Sequence, residues 1–203
     1  MLFFIRGGNV PFSRVVIADS DPDFRRKLKD FLRHAGCTLI REAGEGKSAL
    51  AIVFQTEPDV VILEDRIPGS EGMDVAEIIG EHQVAPVVLT AETGPGGTEN
   101  LAKKTGVYGI LTKPLQEANI LPVLETAISN FERVTALQRE IKELRRQLEA
   151  RKLVERAKGL LMEKKGLKEE EAYKLLQKLS MDRCAPLARV ARQVIDSLKT
   201  DAR

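Results

Sequence analysis

The chain has 203 residues, 43% of them hydrophobic and 31% charged, with a formal net charge of +2. That length allows one large domain or two small ones, and no run approaches the ~20 consecutive apolar residues of a membrane span. Met1–Ile5 is too short for a signal h-region, and two cysteines, Cys37 and Cys184, make no disulfide framework, so they read as reduced core thiols of a cytoplasmic protein.

The charge is unevenly spread. Residues 1–132 carry 13 Lys and Arg against 19 Asp and Glu, a net of −6; residues 133–203 carry 19 against 11, a net of +8. An acidic front and a basic back suggest two domains with different partners, the basic one suited to phosphate backbones.

In chain order, short apolar runs rich in β-branched residues fall at Val15–Ala18, Thr38–Arg41, Val60–Leu63, Pro86–Thr90 and Val107–Leu111. Helix-period stretches lie between and after them, at about 22–35, 46–55, 72–81, 97–105 and 117–131. Five strand-then-helix units predict an α/β domain: an open, doubly wound parallel sheet with helices on both faces. Val60-Val61-Ile62-Leu63 and Pro86-Val87-Val88-Leu89 are apolar without alternation, which suits central strands buried on both sides. The back half has no strand pattern. Val134, Leu137, Ile141, Leu144 and Leu148 are spaced 3, 4, 3 and 4 residues apart, a short heptad seam fit for a dimer stem. Arg151 breaks it. Three helices are then expected: one on Leu153, Val154, Ala157, Leu160 and Leu161, stopped by Gly166; one over 168–179; and one over 186–198 with Pro186 at its first position.

In open α/β sheets, ligands bind beyond the carboxyl ends of the strands. There this chain has Asp19, Ser20 and Asp21 after strand 1, Glu64 and Asp65 after strand 3, Thr90 at the end of strand 4 and Lys113 after strand 5. Clustered acids suit a hard cation such as Mg²⁺, and a carboxylate among them can accept a phosphoryl group.

Those pieces carry a resemblance. Ile17-Ala18-Asp19-Ser20-Asp21-Pro22, Pro58 to Glu64 with Pro68-Gly69, Val88-Leu89-Thr90-Ala91 and Leu111-Thr112-Lys113-Pro114 look like a response-regulator receiver domain over residues 13–131. The resemblance implies a flavodoxin-like sheet in the order 2-1-3-4-5, a topology for which a receiver is a standing example. It also implies a sensor histidine kinase as partner. Two positions depart from the family. Ser20 stands where the principal Mg²⁺-binding aspartate belongs, which leaves Asp19 and Asp21 as candidate metal ligands. Glu64 stands where the phospho-accepting aspartate belongs. Thr90 and Lys113 match the phosphate-contacting positions; the aromatic switch position is Ile110, with Tyr108 two residues earlier. A phosphoryl group carries about −1.5 to −2, so Glu64 imitates part of it, and a Glu64–Lys113 ion pair is expected to bias the domain without aspartyl phosphorylation. Asp65 is the rival acceptor, though strand alternation points it away from Glu64.

Other motifs fall short. Gly44-Glu45-Gly46-Lys47-Ser48 ends like a P-loop but has Arg41 where the first glycine belongs. Gly94-Pro95-Gly96-Gly97 reads as a loop. His34 and His82 have no ligand partners at metal spacing. Asp19-Ser20-Asp21 resembles a dehalogenase-type phosphatase motif, but the acidic pair expected after strand 4 is absent, and no enzymatic activity is expected.

The second resemblance is in the basic half. Arg151-Lys152-Leu153-Val154-Glu155-Arg156-Ala157-Lys158-Gly159-Leu160-Leu161-Met162, then Glu170-Glu171-Ala172-Tyr173 and Ser180-Met181-Asp182, resemble the ANTAR domain, a three-helix RNA-binding module of antitermination regulators. The expected organisation is a receiver over 13–131, a coiled-coil stem over 132–150 and an ANTAR bundle over 151–200. The resemblance implies a homodimer that binds paired hairpins in a nascent mRNA, with Arg151, Lys152, Arg156, Lys158, Lys164, Lys165, Lys178 and Arg183 as candidate RNA contacts. Tyr173 either stacks on a base or packs in the bundle, and Ala157 and Gly159 permit close approach. A DNA-binding regulator and a protein-binding adaptor are the alternatives.

Overall fold

All five apolar runs form strands: β1 (Arg14–Ala18), β2 (Leu39–Ala43), β3 (Val60–Glu64), β4 (Val87–Glu92) and β5 (Val107–Lys113). A computed structural model of the chain describes residues 12–70, 72–92 and 106–200. The sheet is wholly parallel in the order β2-β1-β3-β4-β5. β2 begins and ends later than expected and includes Glu42 and Ala43. β5 runs on through Lys113, so that lysine ends the strand rather than following it. The expected helix over 97–105, the loop at 94–97 and Met1–Ile5 lie outside the described residues.

Helices α1 (Pro22–His34), α2 (Gly46–Thr56) and α3 (Gly72–Glu81) connect the strands. β1, β3 and β4 turn alternate side chains to opposite faces, as a pleated strand must. Val16, Ala18, Val61, Leu63, Val87 and Leu89 pack with Ala49, Val53, Val75 and Ile79 of α2 and α3. Val15, Ile17, Val60, Ile62, Val88 and Leu111 pack on the other face with Leu28 and Leu32 of α1 and with Ile120, Leu124 and Ala127. The unalternating run in β3 is thus explained: its four apolar residues, Val60 to Leu63, are each at most 1% exposed.

The last three come from α4 (Glu117–Lys165), a helix of 49 residues. The expected end near 131 does not occur, and the break in the heptad seam at Arg151 leaves the helix backbone continuous. The shift in apolar pattern at Arg151 marks the passage from an exposed seam, Leu137 to Leu148, to a face buried in the second unit's core. It does not interrupt a segment rich in Leu, Glu, Lys, Arg and Gln, all good helix formers. Gly166 does stop it: its φ is +67, and its N–H donates to the Met162 carbonyl at 3.1 Å. α5 (Glu169–Asp182) and α6 (Leu187–Thr200) follow. Pro186 stands one residue before α6, and its carbonyl accepts from the N–H groups of Arg189 and Val190 at 2.9 and 3.2 Å.

The chain divides into two units, Met1–Thr135 and Ala136–Arg203. The second has its own core: Ala157 and Leu161 of α4, Ala172 and Leu176 of α5, and Val190, Ala191, Ile195 and Leu198 of α6. Cys37 is buried, which pushes its thiol up to about 11. Cys184 is exposed instead of buried, because it occupies a left-handed turn (φ 46) between α5 and α6.

Ile62, at 1% exposure in the central strand, gives the test of this packing. Ile62→Ala should lower the unfolding free energy of the sheet unit by about 2–5 kcal/mol, read as a shift in the urea midpoint with little change in slope.

Candidate functional site

Parallel register assembles the site. Ala18 pairs with Leu63 and Glu64 with Thr90, so Asp19, Glu64 and Thr90 lie in adjacent positions at the carboxyl ends of β1, β3 and β4. Lys113, opposite Glu92 in the register, closes the row from β5.

The lysine is the centre of the cluster. Its Nζ lies 2.7 Å from Asp19 Oδ2 and 3.3 Å from Glu64 Oε1, and 4.2 Å above the Phe24 ring centroid. Asp19 is 1% exposed; its Oδ2 also faces the Thr90 hydroxyl, 3.4 Å away, and its Oδ1 accepts the Asp21 N–H at 3.0 Å. Glu64 Oε2 accepts the Ser20 N–H at 2.8 Å. The expected Glu64–Lys113 pair therefore exists, and Asp19 shares it.

The electrostatics follow from burial and partners. Burial pushes the Asp19 carboxyl up, more than its bonds to Lys113 and the Asp21 N–H bring it down. Burial acts upward on Glu64 too, but the Ser20 hydrogen bonds and the Lys113 charge outweigh it and hold the carboxyl below its ordinary value. Burial disfavours the Lys113 ammonium, yet the hydrogen bond and charge of Asp19, reinforced by Glu64, hold its pKa above the ordinary value.

Asp21 does not join them. Its Oδ1 accepts the Asp23 N–H at 2.9 Å and caps α1, with Pro22 in the first helical position. The helix start thus claims a carboxylate assigned to the pocket from sequence. Asp65 also turns elsewhere: its carboxylate lies 3.9 Å from Arg66 Nε, and burial pushes its pKa up. Tyr108 stacks edge-on against Phe131 at 5.3 Å.

A residue missed in the sequence completes the pocket. Arg25 Nη1 donates to the Asp19 carbonyl at 2.5 Å and the Ser20 carbonyl at 3.3 Å, fixing the loop after β1. Its Nε lies 3.8 Å from Glu42 Oε2, and Lys29 is also hydrogen-bonded to Glu42. The available signal was spacing: Arg25 lies four residues after the cap Asp21, one turn along α1.

These residues do not fit a resident Mg²⁺. Ser20 lacks a carboxylate, Asp21 is committed to a helix cap, and the Lys113 ammonium sits on Asp19 and Glu64. Among the described residues, no group of three His, Cys, Asp or Glu is placed to hold a metal ion. The P-loop-like stretch is explained by packing: a Cβ at Gly46 would stand 2.8 Å from Ser70 Cβ, and Gly46 N–H donates to the Pro68 carbonyl at 3.0 Å. His34 and His82 each place Nδ1 against the carbonyl four residues earlier, at 2.6 and 2.9 Å.

In the second unit, the candidate cations divide into two groups. Lys158 is only 8% exposed: its Nζ bonds Glu155 at 3.0 Å and Glu169 at 2.7 Å, and it stands 6.0 Å from the Tyr173 ring centroid. It ties α4 to the first turn of α5 instead of standing in solvent as a free cation. Lys164 donates to the Leu198 carbonyl in the last turn of α6, a C-terminal cap. Lys152 pairs with Glu149 at 2.8 Å and Arg183 donates to Gln193 at 2.7 Å, both at the surface. Arg151, Arg156, Lys165 and Lys178 are exposed and have no ion-pair partner among the described residues. Tyr173 is part-exposed beside Lys158.

Comparison with known proteins places both units. The response regulator receiver domain matches residues 15–125, and the ANTAR domain matches residues 142–195. The transcriptional regulatory protein PdtaR of Mycobacterium tuberculosis is 37% identical over 187 residues, covering 92% of this chain and 91% of its own. The aliphatic amidase regulator of Pseudomonas aeruginosa is 30% identical over 88 residues, 43% of this chain and 45% of that one. A receiver domain protein of Clostridium thermocellum superposes with a TM-score of 0.54 at 22% identity, covering 60% of this chain and 98% of that one, a likeness of fold alone.

The lowered carboxyl of Glu64 sets a pH dependence. Such a group stabilises the fold above its unfolded pKa, about 4.3, and the contribution is lost as pH falls through the lower folded value. Glu64→Gln should therefore be less stable than the natural chain at neutral pH, with the gap closing below about pH 4. Urea midpoints measured from pH 7 to pH 3 read this out; a gap that persists unchanged at pH 3 contradicts the ion pair.

Proposed function

The chain belongs to the response-regulator family, with a receiver domain followed by an ANTAR domain, and we propose that it is an RNA-binding transcription antiterminator whose receiver is not switched by aspartyl phosphorylation. The observation that carries the second half is the Lys113 ammonium lying on Asp19 and Glu64 at 2.7 and 3.3 Å. In this reading, Glu64 supplies permanently the negative charge that a phosphoryl group would bring, and Lys113 answers it. A sensor histidine kinase, the partner a receiver implies, finds no aspartate at position 64 and no acidic trio for Mg²⁺. Control then rests on the amount of protein or on a partner.

The RNA reading rests on the ANTAR match over 142–195 and on the basic character of residues 133–203. Of the candidate contacts, Arg151, Arg156, Lys165 and Lys178 are exposed with no ion-pair partner among the described residues and so stand ready to meet phosphates, and release of condensed counterions favours that contact. Hairpin loops expose unstacked bases; two of them held together in a nascent transcript exclude the competing terminator. A protein that holds two hairpins needs two copies of the module. The seam Val134, Leu137, Ile141, Leu144 and Leu148 offers the means: each of these residues is between 37% and 56% exposed, and the spacing is that of a two-stranded coiled coil. We assign it to pairing with a second copy of this chain.

Three measurements test these assignments. Fluorescence anisotropy with a two-hairpin RNA, in a salt series and against duplex DNA, should show RNA-selective binding that ignores acetyl phosphate and Mg²⁺. Intact-mass analysis should show no stable adduct of about 80 Da, the mass of one phosphoryl group; such an adduct, lost in Asp65→Asn, overturns the unswitched receiver. For the stem, Leu144→Glu combined with Leu137→Glu should convert a dimer to a monomer in sedimentation equilibrium and weaken binding to paired hairpins. A dimer mass that survives both substitutions removes the seam from the interface.

A further inference from the structure

Gly159 is a helical residue that the fold does not require. It lies six residues before the end of α4, two positions from the buried Ala157 and Leu161, and therefore on the opposite side of the helix. Among the described residues, a Cβ added there meets no atom within 4 Å, so no neighbouring helix needs the space. Its backbone is ordinary right-handed helix, so no turn needs the conformation. Alanine is the better helix former at such a position. Among the described residues nothing gains from the missing side chain, which points to a partner outside the chain.

The surroundings indicate what that is. Lys152, Arg156, Gly159 and Glu163 are spaced 4, 3 and 4 residues apart and are all exposed, so they form one stripe along the helix. Arg156 has no ion-pair partner among the described residues, and Lys152 holds Glu149 in a surface pair of little strength. Met162, three residues beyond the glycine, is 41% exposed and presents a flexible thioether. Cations beside a stretch of bare helix backbone suit a stiff polyanion, because phosphates can reach the cations only if the intervening surface lets the sugar–phosphate chain come close.

We propose that hairpin RNA makes its closest approach to the ANTAR unit at Gly159, packing against the helix backbone there while Arg156 and Lys152 take adjacent phosphates. Glu163 sets the far limit, since its charge repels phosphate, so the contact runs from Gly159 toward Lys152. The inference rests on the RNA reading above and specifies the face that serves it.

The test uses opposite signs. In the full-length protein, Gly159→Ala should raise the melting temperature by about 2–4 °C, because alanine favours the helix, and yet weaken two-hairpin RNA by about tenfold in anisotropy at fixed salt. Gly159→Leu should weaken it further, and Arg156→Gln should lower the slope of log affinity against log salt by about 1. Sedimentation should show the same oligomeric state for all variants. Unchanged RNA affinity in Gly159→Ala and Gly159→Leu overturns the proposal. So does a loss of binding that tracks a change in oligomeric state, which assigns the face to a second copy of the chain. If the natural chain itself does not bind hairpin RNA, the RNA reading fails and this assignment with it; a failure confined to the glycine variants leaves that reading standing.

Discussion

The Lys113 ammonium, held between the carboxylates of Asp19 and Glu64, is the interaction on which the front unit's site depends. Four strands converge at this point, and two bring acids into a place with little water; Asp19 is 1% exposed. Like charges so placed raise each other's cost of ionisation, and one cation shared between them offsets it. The rest of the pocket is arranged around that fact. The Ser20 N–H orients Glu64, the Asp21 N–H orients Asp19, and Arg25 clamps the connecting loop by its carbonyls. The receiver pocket is thus electrically satisfied by its own side chains. A divalent cation would have to displace a lysine that is already in contact with both acids.

The back unit shows the same economy with the opposite charge. A net of +8 over residues 133–203 suggests a generally basic surface, but part of that charge serves the bundle. Lys158 joins α4 to α5 through Glu155 and Glu169, and Lys164 caps α6. In both cases a long aliphatic stem crosses the helix surface and carries its charge to an acceptor on another helix. Of the candidate contacts, those without an ion-pair partner among the described residues are a smaller set on α4 and α5: Arg151, Arg156, Lys165 and Lys178. The stem residues differ again: five apolar side chains stand exposed at heptad spacing.

Much of this was legible beforehand, for definite reasons. The strand order and the burial of β3 followed from runs such as Val60–Leu63, because an unalternating apolar strand needs cover on both faces. The convergence of Asp19, Glu64, Thr90 and Lys113 followed from parallel topology, which puts every carboxyl end on one edge. Other features were not legible. The joining of the stem and first bundle helix into one 49-residue α4 is not legible, because a change of apolar face looks the same whether or not the backbone is interrupted. Asp21 was placed in the pocket because its type fits an acid cluster and a helix cap equally well. Arg25 escaped notice because nothing in residue type marks an arginine whose acceptors are backbone carbonyls.

By itself, then, the sequence determined the two-domain organisation, the sheet, and which residue types stand at the strand ends, since these depend on periodicity and order along the chain. Only the tertiary structure decided which of those groups meet. Asp19 rather than Asp21 faces Lys113, Lys158 and Lys164 are drawn into the bundle, and Gly159 is left on an open face. The physical reason is that a charged side chain chooses its partner among groups distant in sequence, by distance, burial and competing hydrogen bonds. Those quantities exist only once the elements are packed.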